Sequence, residues 1–498
     1  MGAVAAGARR EVVRRAVQPV RRWRLIASRQ KTAKNEKRNA AMDYRLPSVA
    51  ATIALLAAPA LAQQPPPRRL PLPGIVYPLG SSPSPRTLSP ARAVELALAA
   101  ETAVQLAAER REEARGRALE ARAALLPSLS GTATRASNAI NLAAQGLSGF
   151  APGLSSVIVF DTFDARLQLA QRLFDWSAIQ RYRAGQTARR AAELEARLVR
   201  RQVTGEVLLA YLGALRAQAV MTAAEREIGA ARALVALTQE QRAVGLATQL
   251  DVIRAGVRLA EEEARRAQAV ADLEQAQARL RRLMALPPEA ELTLTGELRF
   301  VPSAAPDAPT ALAAAQRDRL EAELAQVQRE AVLQEQSAVA AEQWPSVEVF
   351  ADYGVTGVRP NRFALPTRTF GARVNVPIFN GGATFGRLVA EKSRARQSAL
   401  QVADARRQIE QDVRLALALL SAAAEQVSAA EQTVTLAQRE AELAEERFAA
   451  GVADNLEVVR AQAALSQART ARVQALAQHV AARINLALAL GAIEQFQW

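Results

Sequence analysis

Two stretches of this 498-residue chain, 206 positions apart, repeat each other without a gap, and that duplication limits the possible folds more than any other feature. The shift sets Arg201-Gln202 against Arg407-Gln408, Gly245 against Gly451, Leu250 against Leu456 and Val252 against Val458. It also matches Arg254-Ala255 with Arg460-Ala461 and Arg266 with Arg472. Slightly different shifts align Leu126-Pro127-Ser128 with Trp344-Pro345-Ser346, and Leu173-Phe174-Asp175 with Ile378-Phe379-Asn380. Such a period marks two copies of one structural unit. Each copy reads as helix, short β pair, very long helix, glycine turn, long helix.

The long helices are written in heptads. The first seam runs Val207, Ala210, Ala214, Ala217, Met221, Ala224, Ile228, Ala231, Val235. The second runs Val413, Ala416, Leu420, Ala423, Val427, Ala430, Val434, Ala437. Large residues alternating with alanine let neighbouring helices approach closely and interlock. Leucine at Ala217 or Ala423 is expected to overpack the seam, whereas Ala233 and Ala441 are expected to lie off it. From Ala178 to Ala243 a helix extends about 100 Å at ~1.5 Å per residue.

The β pairs, expected near 127–138 and 160–173, then 345–356 and 368–379, alternate apolar and polar residues. Val347, Val349, Ala351, Tyr353 and Val355 share one face, opposed by Glu348, Phe350, Asp352 and Gly354. In the partner strand Phe370, Ala372, Val374, Val376 and Ile378 oppose Gly371, Arg373, Asn375 and Pro377. The first copy is weaker: Leu129, Gly131 and Ala133 in one strand, Phe163, Ala165, Leu167 and Leu169 in the other. Strands of about 10 residues with this alternation suit a tilted membrane barrel. A small soluble sheet capping a helical rod is the alternative. In the barrel reading Gly354 and Asn375 face water and are expected to accept arginine, while Val349 and Val374 face lipid. Four strands cannot close a barrel, and open edges cannot sit in lipid, so several chains must contribute; three would give twelve strands.

Composition narrows the function. The net charge of +15 invites a nucleic-acid partner, but residues 1–41 carry twelve Lys/Arg against Glu11 and Glu36. Residues 42–62 are net neutral, which leaves +5 for the rest, so no nucleic-acid partner is expected. Met42 opens a secretory signal over 42–62: Arg45 in the n-region, an apolar run from Val49 to Leu56, and the cleavage site Ala60-Leu61-Ala62. Residues 1–41 are then a mis-annotated extension, with a genuine basic n-region or a basic arm as alternatives. A Pro-rich segment follows over 63–87. No later stretch reads as a membrane helix of ~20 apolar residues. A signal without a membrane helix favours the outer-membrane barrel. With no cysteine and only His479, thiolate, zinc and His-based chemistry is not expected, nor any cofactor or metal. The chain does not read as an enzyme. Helix is expected from Ser89-Pro90 to Leu125, and a linker with a β-prone run from Leu292 to Val301 joins the copies (88–290 and 309–492) over 291–308.

Over essentially Leu88 to Gly491 the sequence resembles the TolC-like outer-membrane efflux factor family. The duplicated unit carries the likeness, with the Leu-Pro-Ser and Trp-Pro-Ser strand starts and Pro377-Ile378-Phe379-Asn380-Gly381-Gly382. The turns Val244-Gly245-Leu246-Ala247-Thr248-Gln249-Leu250-Asp251-Val252 and Ala450-Gly451-Val452-Ala453-Asp454-Asn455-Leu456-Glu457-Val458 are its most specific parts. The resemblance implies a mainly α fold with a small β part: a homotrimer with an α-barrel of long coiled-coil helices under a shared twelve-stranded outer-membrane β-barrel. It implies a passive exit duct in the Gram-negative outer membrane, reaching into the periplasm and served by an inner-membrane pump and a periplasmic adaptor. Efflux of small toxic compounds is the leading function. Type I protein secretion is the variant, and a periplasmic structural coiled-coil protein the other class.

Four site readings follow. Gly245 and Gly451 are plainly left-handed turn residues; the resemblance makes Val244, Gly245, Leu246, Ala450, Gly451 and Val452 adaptor-docking tips. Asp251 and Glu457 are plainly first-turn acids that complement a helix dipole; the resemblance places them at a pore aperture, with Arg254 and Arg460 as i, i+3 neighbours that partly neutralise them. Where some members carry a locking arginine and tyrosine, this chain has Ala453 and Phe448, so the location carries over without those bonds. Gly381 to Gly386 has phosphate-loop length, but Arg387-Leu388 follows, so it reads as a strand-to-helix joint. Glu261, Glu262 and Glu263 read as a solvated helix face, and His479 as a seam residue.

Overall fold

The structure, a computed structural model, describes residues 86–142, 144, 157–302, 306–360, 364–450, 452 and 454–498. The basic extension, the signal segment and residues 63–85 lie outside the described residues. The first repeat comprises β1 (Arg86–Leu88), α1 (Pro90–Ala100), α2 (Thr102–Ala123), β2 (Ser128–Asn141), β3 (Val157–Phe174), α3 (Trp176–Ala243) and α4 (Gln249–Leu283). β4 (Leu292–Leu294) lies in the linker. The second repeat is α5 (Ala308–Asp318), α6 (Leu320–Ala341), β5 (Ser346–Gly357), β6 (Leu365–Asn375), α7 (Ala383–Ala449) and α8 (Asn455–Ala489), and a 3-10 turn over Ile493–Gln495 follows. A shift of 206 carries α4 onto α8 end to end, whereas α1 and α2 need 218 to reach α5 and α6. The difference falls within the hairpins, because β2 and β3 are longer than β5 and β6.

Ser89 caps α1 by accepting from the Arg92 N–H, with Pro90 at the first helical position. The expected single helix to Leu125 is broken at Glu101, whose backbone is extended at φ −64 and ψ 128. The second repeat breaks at the equivalent Arg319, φ −76 and ψ 118. There Arg319 reaches Asp412 at 3.2 Å and the Ala489 carbonyl at 3.4 Å, so the break ties α5 and α6 to α7 and α8.

α3 has 68 residues, about 100 Å of helix at ~1.5 Å per residue. Every residue of both expected seams is buried or half-buried, with Val207 and Ala214 wholly so. Ala441 was expected off the seam but is 4% exposed. Near its end α7 widens its buried face to Ala441, Ala444 and Phe448, which meet Val458, Ala461 and Leu465 of α8. Ala233 is exposed as expected. Contrary to the sequence reading, α3 and α7 each hold an 18-residue window apolar enough to cross a membrane, at mean hydropathy 1.4 and 1.3. Half of the α3 window is buried inside the protein.

The four long strands form one antiparallel sheet in the order β2-β3-β5-β6, so β2 and β6 are its edges. The register places Leu129, Leu169, Ala351 and Phe370 side by side, then Gly131, Leu167, Tyr353 and Arg368, on one face that is apolar toward the helices and carries Arg135, Asp161 and Arg368 in its outer half. Leu129, Phe370 and Val374 are 69%, 82% and 62% exposed there. Asp164, Arg166, Asp352, Glu348 and Arg373 share the other face. Gly354 does not accept a side chain, contrary to expectation: a Cβ there would stand 2.3 Å from the Ala165 carbonyl oxygen and 2.5 Å from Arg166 Cβ. β6 stops at Asn375, short of the expected 379, because Pro377 has no N–H to pair and Gly381 and Gly382 turn the chain at φ 67 and 84. α7 starts directly after Gly382, so this segment is a joint.

A second, two-stranded parallel sheet pairs β1 with β4 midway along the helices. Only Leu292–Leu294 of the expected β-prone run pairs. The buried Tyr211 hydroxyl donates to the Leu88 carbonyl at 2.8 Å, fixing this belt to α3.

The seam residues act through volume. Ala217→Leu or Ala423→Leu is expected to cost about 1–3 kcal/mol by overpacking, and Ala233→Leu under about 0.5 kcal/mol as a surface change. Thermal unfolding of the purified proteins measures the difference, and equal melting temperatures would mean the seam is misassigned.

Candidate functional site

The site is built where the long helices reverse. α3 ends in a Schellman turn: Leu246 N–H donates to the Gln241 carbonyl at 2.8 Å and Gly245 N–H to Arg242 at 3.0 Å. Gly245 takes φ +83 with open space around it, so backbone conformation alone requires the glycine. α7 ends alike, Val452 N–H donating to the Arg447 carbonyl at 3.0 Å. Gly451 lies outside the described residues. Val244, Leu246 and Val452 are 71%, 73% and 72% exposed, and Ala450 is exposed beside them.

Each second helix starts with a side-chain cap. Thr248 and Asp251 form a capping box: Asp251 N–H donates to Thr248 Oγ1 at 3.3 Å, and Thr248 N–H to Asp251 Oδ2 at 2.9 Å. The Thr248 hydroxyl also donates to that carboxylate at 2.6 Å. This hydroxyl bond, with the Thr248 amide and Arg254, holds the Asp251 carboxyl below its ordinary value against the smaller opposing effect of burial. In α8, Asp454 caps by accepting from Leu456 N–H at 2.7 Å.

The two starts are clasped together. Arg254 lies 3.7 Å from both Asp251 and Asp454. Asn455, only 1% exposed, donates its amide to the Asp251 carbonyl at 2.9 Å. Asp251 and Arg254 therefore meet as the spacing predicts, but Glu457 and Arg460 do not. Glu457 pairs instead with Arg447 of the antiparallel α7 at 3.3 Å. Arg460 is exposed and makes no ion pair among the described residues.

Two features escaped the sequence reading. Glu262 is no solvated residue: it is 1% exposed and bonds Arg258 and Arg265, the latter at 3.2 Å, while Arg265 also reaches Ser466 of α8 at 3.2 Å. Glu227 of α3 meets Arg469 of α8 at 2.7 Å in the same layer. The i, i+4 spacing of Arg258 and Glu262 was the available signal. The second feature is an outward seam on each repeat. Leu250, Ile253 and Val257 are 53% exposed on α4, and Ala260, Ala264, Ala267 and Ala271 continue the a/d spacing. On α7, Leu415, Ala422, Ala429, Leu436 and Leu443 recur every seven residues, all exposed. His479 is buried against Phe300, ring centroids 4.7 Å apart; burial and then Arg483 push its imidazole below the ordinary value.

The sequence profile described as outer membrane efflux protein matches residues 93–286 and 310–492. The alkaline protease secretion protein AprF of Pseudomonas aeruginosa is 27% identical over 345 residues, 68% of this chain and 71% of its own. Among solved structures, the CmeC outer membrane channel of Campylobacter jejuni superposes at TM-score 0.72 with 16% identity, over 81% of this chain and 86% of its own. The outer membrane protein VceC of Vibrio cholerae superposes at 0.69 with 20% identity, over 81% and 96%.

The capping box at Thr248 sets local order at the tip. Thr248→Ala is expected to cost about 1 kcal/mol, read as about fivefold faster amide exchange at the start of α4. Because folding lowers the Asp251 carboxyl, its contribution is full above the ordinary value of 3.8 and is lost as pH falls through the folded value. Protection at Val252 should therefore drop in the native chain as pH falls below the ordinary value of 3.8, and stay level in Asp251→Asn.

Proposed function

This chain belongs to the outer membrane efflux protein family, and on that basis we propose that three copies close into a passive exit duct for small toxic compounds. It is a channel protein of the Gram-negative outer membrane with a periplasmic part. An inner-membrane pump supplies the work and a periplasmic adaptor joins pump to duct. The reading assigns no catalytic step to any residue.

The observation that carries the proposal is a four-stranded sheet with a face that is exposed and, in its half toward the helices, apolar, and with two open edges among the described residues, β2 and β6. Hydrocarbon does not tolerate unpaired backbone groups, so β6 of one chain must pair with β2 of the next. Barrels begin at about eight strands, which two copies just reach and three exceed with twelve. The outward seams of α4 and α7 support the same neighbour contact, since each is an apolar heptad stripe without a partner among the described residues. In this assembly the polar sheet face lines a lumen. Val244, Gly245, Leu246, Ala450, Gly451 and Val452 dock the adaptor, and Asp251, Arg254, Glu457 and Arg460 border the aperture. A second reading, type I protein secretion, is favoured by the likeness to AprF, whose name is that of a protease secretion protein. Loss of the gene separates the two: drug susceptibility rises under efflux, whereas an extracellular protein disappears under secretion.

Membrane fractionation with an unheated detergent extract tests the duct itself: a trimer band with β content is expected, and a wholly soluble helical monomer would refute it. Val349→Arg or Val374→Arg, on the lipid face near the helix ends of β5 and β6, should weaken the trimer by about 1 kcal/mol, below the ~2–4 kcal/mol of a midplane site. Asn375→Arg, on the lumen face, should assemble. At the aperture, Glu457→Gln should lower the cation preference seen as reversal potential in planar bilayers, and Arg460→Gln should raise it. An unchanged potential in Glu457→Gln would leave this acid as a helix-start residue paired to Arg447.

A further inference from the structure

We propose that the barrel carries a charge filter of its own, remote from the aperture and set by the sharing of Arg166 between Asp164 and Asp352. The inference rests on the channel reading, because closure of the sheet is what turns its polar face into a lumen wall.

The polar face holds its charges in two belts. Near the helices, Glu348 stands directly between Arg172 and Arg373 across the strands, and Arg172 lies 3.3 Å from Asp175, the cap of α3. That belt balances, with two acids against two bases. Further out, Arg166 donates to Asp164 Oδ1 at 2.6 Å and to its second oxygen, and it lies 3.5 Å from Asp352. The Thr356 hydroxyl adds a bond to Asp164 at 2.8 Å. One guanidinium thus serves two carboxylates, and the outer belt keeps one uncompensated negative charge per chain.

Gly354 is the second, independent sign that this arrangement is built. It lies directly across from Arg166, and any Cβ would collide with the β3 backbone at 2.3 Å. The strands approach so closely here that only glycine fits beside Arg166. The side chains of Asp352, Asp164 and Arg166 are 15%, 27% and 31% exposed, half-sunk in the wall rather than free in solvent. Three copies bring three such triads to one height. A ring of uncompensated negative charge raises the local cation concentration and lowers that of anions. The aperture acids lie beyond the far end of α3, about 100 Å away at ~1.5 Å per residue. Screening falls off over ~8 Å in physiological salt, so the two filters act independently and in series.

Planar-bilayer reversal potentials under a KCl gradient, with the purified full chain, test the belt. Asp352→Asn neutralises the ring and should lower the cation-to-anion permeability ratio about threefold, the opposite effects on cation and anion of three charges at ~10 Å in water screened over ~8 Å. Asp164→Asn should move it the same way, and Arg166→Gln should raise it by a similar factor. The same shifts should appear in a Glu457→Gln background, where the aperture no longer dominates. Channels that conduct but keep one ratio through all three variants would overturn the belt and leave the duct intact. Native protein that forms no channel would overturn the duct reading, and the belt with it.

Discussion

A backbone N–H or C=O group cannot remain unpaired in hydrocarbon, and among the described residues the sheet has β2 and β6 as open edges. Everything distinctive about the molecule is arranged around that incompleteness. The chain folds its helices into a bundle with Tyr211, Leu88 and the β1–β4 pair at its waist. Its strands stay unfinished. In the proposed duct the exposed apolar residues Leu129, Phe370 and Val374 meet lipid, and the sheet edges are closed by further copies. The helical part has the same character: α4 and α7 each spend one apolar seam inside the chain and hold a second one outward.

Alanine makes two seams per helix possible. A helix with leucine at every a and d position is wide and packs well on one side only. Alternation with alanine, as at Val207, Ala210 and Ala214, brings axes close enough for interlocking with little volume per contact. The outward stripe on α4 follows the same rule, passing from Leu250, Ile253 and Val257 to a run of alanines. Where the seam must also hold a charge layer, at Glu262 and Glu227, each buried acid has a bonded arginine. Removing one partner of such a pair leaves an uncompensated buried charge, so the layer links α3, α4 and α8 at one height.

The features legible in the sequence were those written as periods. Heptads, strand alternation and the 206-residue shift predicted the helices to within a residue or two at the turns and the strands to within a few. What stayed hidden depends on neighbours that no period encodes. Gly354 reads as a position open to a side chain until the register sets it against the Ala165 carbonyl. Ala441 reads as surface until α8 crosses beside it. Glu457 has a base three residues on, yet the antiparallel Arg447 reaches it instead. The breaks at Glu101 and Arg319 are equivalent in the two repeats but carry no proline or glycine to announce them. At the tips the turns and the Asp251–Arg254 pair were readable, and the Glu457–Arg447 pair and the Asn455 contact were not.

The duplication is also informative where it fails. α4 and α8 correspond residue for residue, so the starts of these helices would be interchangeable if both repeats did the same work. They are not. The first is capped by a Thr248–Asp251 box and presents Leu250, Ile253 and Val257 outward. The second is capped by Asp454 and turns Asn455 inward, to 1% exposure, onto the Asp251 carbonyl. A buried amide that bonds the other repeat has no use in a symmetric pair of hairpins. It makes the second tip lean on the first, with Arg254 completing the clasp through Asp454. The first repeat is therefore left with the free apolar surface at this end, and the second with the polar contacts that hold the two together. Sequence drift in a duplicated unit is tolerated where packing is loose. The two tips stay alike in sequence, Leu250, Val252 and Arg254-Ala255 matching Leu456, Val458 and Arg460-Ala461, and the exchange of Gln249 for Asn455 falls where the two copies touch, so the asymmetry belongs to the assembly of the tip.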